Sequence, residues 1–190
     1  MKKVLLHSCC APCSSAILEW MLVNDYSPVI YYCNPNIFPE DEYYIRKNEI
    51  SKYARKLGVE IIDDDVECMG GSWTEGHAEW LQEVKGLESE PERGSRCLQC
   101  FKLRLLRAAQ KASELGICQF TTTLASSRWK SLEQINEAGQ WAAAQFEGVE
   151  FWDRNWRKGG LQQRRNDLLK QNGFYNQLYC GCEYSVRNKE

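Results

Sequence analysis

The residues best equipped for chemistry are cysteines, ten in 190 residues, and most of them fall in clusters. Cys9-Cys10-x-x-Cys13 follows a short apolar run and precedes a segment of helical character. Three thiols therefore sit at a strand-to-helix turn, where backbone N–H groups and the positive end of a helix favour thiolates. A phosphate-binding loop in this place needs glycines, and none occurs between Met1 and Pro35. The turn is suited to soft-metal or redox chemistry, not to nucleotide phosphate. Cys97-x-x-Cys100, at a predicted helix start, puts two thiols on one face, a spacing that fits zinc or an iron–sulfur cluster. Joined by two thiols of the first cluster, they make the four ligands of a cubane. Adjacent side chains such as those of Cys9 and Cys10 tend to diverge, which suits two irons of one cluster better than one tetrahedral zinc. Spacing leaves open which two of Cys9, Cys10 and Cys13 take part, and the third is free to bind another metal ion or the substrate, or to pack.

Cys180-Gly181-Cys182 is a different device. Cysteines one residue apart close a disulfide only in a tight ring, which the intervening glycine permits, and a strained disulfide is labile and redox-active. A metal-binding Cys-x-Cys turn is the other use of this pattern. Cys33, Cys68 and Cys118 stand alone and read as small buried apolar residues. His7, beside the thiols, is either a proton donor or a structural histidine at a strand end, and His77 reads as a surface residue. Asp63-Asp64-Asp65 either holds a substrate hydroxyl or amine or is a solvated loop.

The stretch Trp152-Asp-Arg-Asn-Trp-Arg-Lys-Gly-Gly160, with Arg164 and Arg165 behind it, mixes basic and aromatic side chains, and Arg128-Trp129-Lys130 repeats the mix. Arginine for phosphate with tryptophan for base stacking is a common grip on unpaired RNA; the plainer reading is a charged surface with anchoring tryptophans. The residues singled out as substrate contacts are Asn34, Asn36, Arg128, Trp156, Arg157 and Lys158.

Periodicity supplies the elements that position these groups. Strands are predicted at 3–7, 29–33, 59–62, 120–124 and 149–152. Helices are predicted at 14–23, 40–57, 72–84, 97–115, 131–146 and 161–171, with Gly58 and Gly116 as stops. Strands alternating with helices predict one α/β domain over residues 1–190, with a mainly parallel sheet. Ligands of such sheets bind beyond the carboxyl ends of the strands. That edge would receive Cys9 and Cys10, Asn34 to Asn36, Asp63 to Asp65, Thr123 to Arg128, and Asp153 to Lys158.

The chain has 43% apolar residues, a net charge of −2 and a pI near 5.8. These values are adequate for a core and argue against coating nucleic acid through bulk charge, though not against a local basic patch. No apolar run approaches the ~20 residues of a membrane span, and Met-Lys-Lys followed by a few apolar residues lacks a signal peptide's core. The sequence predicts a soluble cytoplasmic protein without a membrane partner, so the clustered thiols belong to a reducing compartment, where metal or redox work is their usual use.

Taken in order, His7-Ser-Cys-Cys-Ala-Pro-Cys13, Tyr32-Cys-Asn-Pro-Asn-Ile37, Gly94-Ser-Arg-Cys-Leu-Gln-Cys100, Ser126-Ser-Arg-Trp-Lys130, Asn155-Trp-Arg-Lys-Gly159 and Tyr179-Cys-Gly-Cys182 resemble the cobalamin-independent epoxyqueuosine reductases, the QueH family. The resemblance implies a fold related to the PP-loop, or adenine-nucleotide α-hydrolase, group, with cysteines where ATP-using members carry a glycine- and serine-rich loop. It implies a [4Fe-4S] cluster held by Cys9, Cys10, Cys97 and Cys100, and a redox-active pair, Cys180 with Cys182. One additional iron ion, held partly by Cys13, is compatible with it. The implied reaction is reduction of epoxyqueuosine to queuosine at the wobble position of a tRNA, the last step of queuosine synthesis, with the epoxide oxygen leaving as water and an unidentified electron donor. Two other readings remain at this point. A tRNA-thiolating enzyme of similar fold would need the ATP loop, and a zinc-bound RNA-binding module would leave the Cys-Gly-Cys tail unexplained.

Overall fold

The computed structural model describes residues 1–63 and 72–185. Its centre is β1 (Lys2–His7), whose Val4, Leu5 and Leu6 are fully buried, as expected of a strand covered on both faces. The strands β2 (Tyr26–Tyr32), β3 (Glu60–Asp63), β4 (Gln119–Thr122) and β5 (Glu150–Phe151) complete a parallel sheet in the order β3-β2-β1-β4-β5.

The helices are α1 (Ala11–Val23), α2 (Glu40–Leu57), α3 (Trp73–Glu83), α4 (Ser95–Glu114), α5 (Leu132–Ala143) and α6 (Leu161–Asn172). The α1 helix packs on α2 and α6, while α4 packs on α3 and α5, which covers the sheet on both sides. The expected fold class is the observed one. Short parallel strands each need a crossover helix, and the alternation of β-branched runs with amphipathic segments encodes this.

Element ends deviate where local chemistry outweighs periodicity. The α1 helix starts three residues earlier than predicted, because Pro12 fits its first turn, where a missing N–H costs nothing. Cys13 is thereby helical. The β4 strand stops at Thr122, whose side-chain oxygen accepts from the Leu124 N–H and starts a 3-10 turn at Thr123–Ser126. The α4 helix begins at Ser95, so Cys97 lies in its first turn and Cys100 one turn further on.

Crossing from β1, the chain runs outward through β2 and β3, then returns and runs the other way through β4 and β5. The reversal between β1 and β4 is a topological switch point, where the loops after the two strands part and leave a crevice.

Candidate metal centre and redox site

The crevice holds a cavity of about 360 Å³. Cys9, Cys10 and Cys13 from the β1–α1 turn line it, with Cys97 from α4 and Cys180 and Cys182 from the tail. The sulfur atoms of Cys9, Cys10 and Cys13 lie within 4.8 Å of one another. Cys100 does not line the cavity; it is buried with Trp80, Val84 and Cys182. All of these cysteines are free thiols.

Hydroxyls fix the turn. Ser14 must donate to the Cys10 carbonyl (2.7 Å), since a carbonyl only accepts, so Ser8 donates to Ser14 (2.5 Å). Thr123, just past β4, accepts from the Cys9 N–H at 3.3 Å and donates to the Cys9 sulfur at 3.5 Å. Both strands of the switch point therefore hold Cys9.

Charge is distributed unequally among the three thiols. Cys9 is held well below the usual thiol range by hydrogen bonds from Cys10 and Cys13 and by the cations Lys130 and Arg104. Burial first, then its bonds to the other two sulfurs, pushes Cys10 well above that range. For Cys13 the bond with Cys10 pulls downward, but the bond with Cys9, burial and the Cys9 charge prevail and raise it to about 11. Cys97 is raised by burial against a 3.3 Å bond from the Arg93 N–H, and Cys182 is raised by burial to about 11. Lys130, which lines the same cavity, is raised against burial by Cys180, Cys9 and Cys13.

Arg104 supplies a second charge. Its side chain is fully buried, donating to the Cys100 sulfur at 3.8 Å and to Asn34 Oδ1 at 2.6 Å, while its Nε has no partner. Among the described residues no carboxylate pairs with it, and the groups that hold its charge are Cys100, Cys9 and Cys180. A buried cation of this kind favours an anion beside it.

The tail is anchored through Arg46. Its guanidinium, paired with Glu42, donates to the carbonyls of Cys180 (3.2 Å) and Tyr179 (3.4 Å) and lies over the Tyr179 ring. The Gly181 carbonyl accepts from the Phe38 N–H at 2.8 Å, and the Tyr179 hydroxyl donates to the Phe38 carbonyl. Gly181 has φ +129°, and a Cβ there would stand 3.1 Å from Arg46 Nη1 and 3.2 Å from Ile37 Cγ1. The glycine between the two cysteines is required by the backbone and by the space around it.

Several sequence expectations need correction. His7 is fully buried and bonds to the Thr122 hydroxyl (2.8 Å) and the Cys33 carbonyl (3.1 Å). Since that carbonyl takes the Nε2 proton, Nδ1 accepts from Thr122, and burial with the Arg104 charge lowers the pKa to about 3. Of the two readings of His7, the structure supports the structural one, a neutral clamp between the ends of β2 and β4. His77 is buried, not at the surface, stacked among Trp73, Phe38 and Trp80 and bonded to the Pro35 carbonyl. Cys118 is exposed rather than buried, whereas Cys33 is buried as expected; Asp64, Asp65 and Cys68 lie outside the described residues. Asp63 pairs with Lys47.

Of the substrate contacts read from sequence, Arg128 lines the cavity. Asn34 is spent inside, between the Ser8 carbonyl and Arg104, and Asn36 is buried under the tail. Trp156 is fully buried, its indole N–H on Thr121 Oγ1 at 3.1 Å, so it offers no face to a base. Arg154 covers the Trp20, Trp152 and Trp156 rings, making the suspected nucleic-acid grip an internal cation–π stack. Arg157 donates to the Lys130 carbonyl at 2.9 Å and braces the rim from behind, and Lys158 is exposed; neither lines the cavity. The cavity's basic residues are Arg46, Arg93, Arg96, Arg128, Lys130 and Arg165. Arg46, Arg93 and Arg96 escaped sequence reading, because isolated arginines in a helix or a charged loop carry no spacing signal.

The family model for epoxyqueuosine reductase QueH matches residues 4–188. The chain belongs to the QueH family. It is 46% identical to the epoxyqueuosine reductase QueH of Histophilus somni over 98% of this chain and 73% of that one. It is 45% identical to that of Haemophilus influenzae (98% and 72%), and 34% identical to that of Thermotoga maritima (98% and 91%). A solved structure from Methanocaldococcus jannaschii, described as a predicted subunit of tRNA methyltransferase, superimposes with a TM-score of 0.51 over 94% of both chains at 15% identity. That likeness concerns the fold alone, a parallel sheet flanked by helices. Among the described residues no helix is long and apolar enough to cross a membrane.

Proposed function

We propose that this protein reduces epoxyqueuosine to queuosine at the wobble position of a tRNA, in the cytoplasm, releasing the epoxide oxygen as water. The family supports the activity. The observation that carries the residue-level reading is six thiols from three separate segments lining one cavity at the switch point of the sheet.

The proposed ligands of a [4Fe-4S] cluster are Cys9, Cys10, Cys97 and Cys100, with Cys13 left for an additional iron ion. Cys9, Cys10 and Cys97 line the cavity and Cys100 is buried one turn along α4 from Cys97, so the chemistry of the donor set fits such a group. The donors are all sulfur, and the cavity is faced by Lys130 and Arg46, with Arg104 buried beside it and carrying no carboxylate partner. When bound, the cluster supplies one-electron transfer and a Lewis-acidic iron.

The chain's own groups do the remaining work. Arg93, Arg128 and Arg165 attract the phosphates of the anticodon loop at the mouth of the cavity. Tyr179 and Leu178 of the tail wall the cavity and keep bulk water from the reacting carbons. Cys180 and Cys182 are the redox pair. Closing their disulfide releases two electrons and two protons, the number needed to convert an epoxide into an alkene and water. An external electron donor then restores the dithiol. Lys130, in the same cavity as Cys180 and Cys9, holds the charge of both segments as it changes.

The test is anaerobic purification with iron, sulfide and zinc quantified, followed by turnover of tRNA bearing epoxyqueuosine. About four irons and four sulfides per chain with product formation is expected. Stoichiometric zinc without sulfide, even after anaerobic reconstitution, would overturn the reading in favour of a zinc-bound RNA-binding module.

A further inference from the structure

Trp129 is not used by the chemistry proposed above. Its indole is 66% exposed, the most of the seven tryptophans, and lines the cavity mouth. A large exposed apolar ring is ordinarily mobile, yet here its backbone is braced from several sides. Arg93 donates through Nε to the Trp129 carbonyl at 2.9 Å and through Nη2 to the Arg128 carbonyl at 3.1 Å. Ser127 Oγ accepts from the Trp129 N–H at 3.3 Å, Arg157 holds the Lys130 carbonyl, and Gln162 holds the Ser126 carbonyl at 2.7 Å. Among the described residues no other ring stacks on the indole; its nearest π partner is the Arg128 guanidinium, 6.0 Å from the ring. Leu178, 74% exposed, lines the same mouth from the tail.

A flat aromatic face on a braced loop, beside cations and at the entrance to a cavity, has the form of a stacking platform for an unpaired base. We propose that Trp129 stacks on a base flanking the modified nucleotide in the RNA loop, so that one neighbour is held at the rim while the modified base enters the cavity. This rests on the reading of tRNA as the substrate. The phosphates on either side of the stacked base face Arg93 and Arg128.

The experiment uses the cluster-loaded protein under anaerobic conditions and a fluorescein-labelled hairpin of the anticodon stem and loop, with unmodified guanosine at the wobble position. Wild type, Trp129→Phe, Trp129→Ala and Trp141→Ala are titrated against this hairpin and against hairpins with an abasic site on either side of the wobble position. Trp129→Ala should weaken binding about tenfold or more, Trp129→Phe about threefold or less, and Trp141→Ala not at all, given the usual contribution of a stacked base. In wild type one of the two abasic loops should show the same loss, and with Trp129→Ala that loop should show no further loss. Alanine binding within about twofold of wild type, or losses that simply add, would overturn the platform. Wild-type turnover of the hairpin bearing epoxyqueuosine is measured in parallel. Absence of turnover would strike at the proposed function, whereas turnover with unaltered Trp129→Ala binding would strike at the platform alone. If that variant instead needed more reductant, the rim would belong to the electron donor.

Discussion

Cys9, Cys10 and Cys13 occupy one turn, yet their surroundings treat them differently: the thiol of Cys9 is pulled toward the anion, and those of Cys10 and Cys13 are pushed the other way. Arg104 carries positive charge behind the cavity, to the buried Cys100. Replacing Arg104 by Met should weaken iron retention about 10–100-fold, the usual cost of removing a group that supports metal ligands, read as iron lost to a chelator over time. Arg104→Lys should recover part of it, because the charge returns without the fork that reaches both Asn34 and Cys100. Alanine at Cys180 or Cys182 should abolish reductase turnover while iron and sulfide stay near wild-type values. Loss of iron in these variants would instead make the pair ligands. At this scale the sequence shows thiol chemistry well and side-chain direction poorly. The motif Cys9-Cys10-x-x-Cys13 locates the site. Nothing in Asn34, Trp156 or His7 reveals that each faces inward, because a buried polar partner such as Thr122 or Arg104 is remote in the chain.

The tail from Gly173 to Ser185 is the element on which the site's closure depends. It has no helical or strand periodicity to read. Its placement comes from side chains scattered through α2, with Tyr175 on Glu42 at 2.7 Å and Arg46 on the carbonyls of Tyr179 and Cys180. Gly181→Ala should lift this segment, since an alanine at φ +129° costs roughly 1–3 kcal/mol and its Cβ meets Arg46. The expected result is a lower melting temperature, faster alkylation of Cys182 and reduced turnover, with the iron content of the remaining folded protein little changed. By contrast, α2 and its glycine stop were legible to the residue, Glu40–Leu57 with Gly58 in the left-handed conformation. There the hydrophobic spacing and the C-cap point to the same end.

For the whole molecule, a net charge of −2 coexists with a basic cavity mouth, so RNA binding is set by where the charge lies rather than by its sum. Affinity for the anticodon hairpin should fall linearly with the logarithm of salt concentration. Arg128→Gln should reduce that slope by about one, without a change in preference among loop sequences. Stability should carry a pH signature from the seam between α2 and the tail. Glu49 accepts the Tyr175 N–H at 2.6 Å, its other oxygen is buried without a partner, and burial raises its pKa above the ordinary 4.5. The folded state therefore holds a proton that the unfolded chain has already lost, and stability declines as pH rises through the interval above 4.5. Glu49→Gln should flatten that decline in urea titrations. A parallel sheet could be expected from the alternation of elements, and with it the edge where the site lies, but not the order of the strands. That the tail would fold back across that edge could not.

The exposed indole on the rim also has an optical consequence. The other tryptophans are shielded to a greater degree, so Trp129 contributes the longest-wavelength component of the protein's emission. Positive side chains surround it, which concentrates anions and repels cations near the ring. Iodide should therefore quench this red component more strongly than caesium does at equal ionic strength, and the difference should shrink as inert salt is added. Light emitted from one residue thus reports the sign of the potential at the entrance of the cavity.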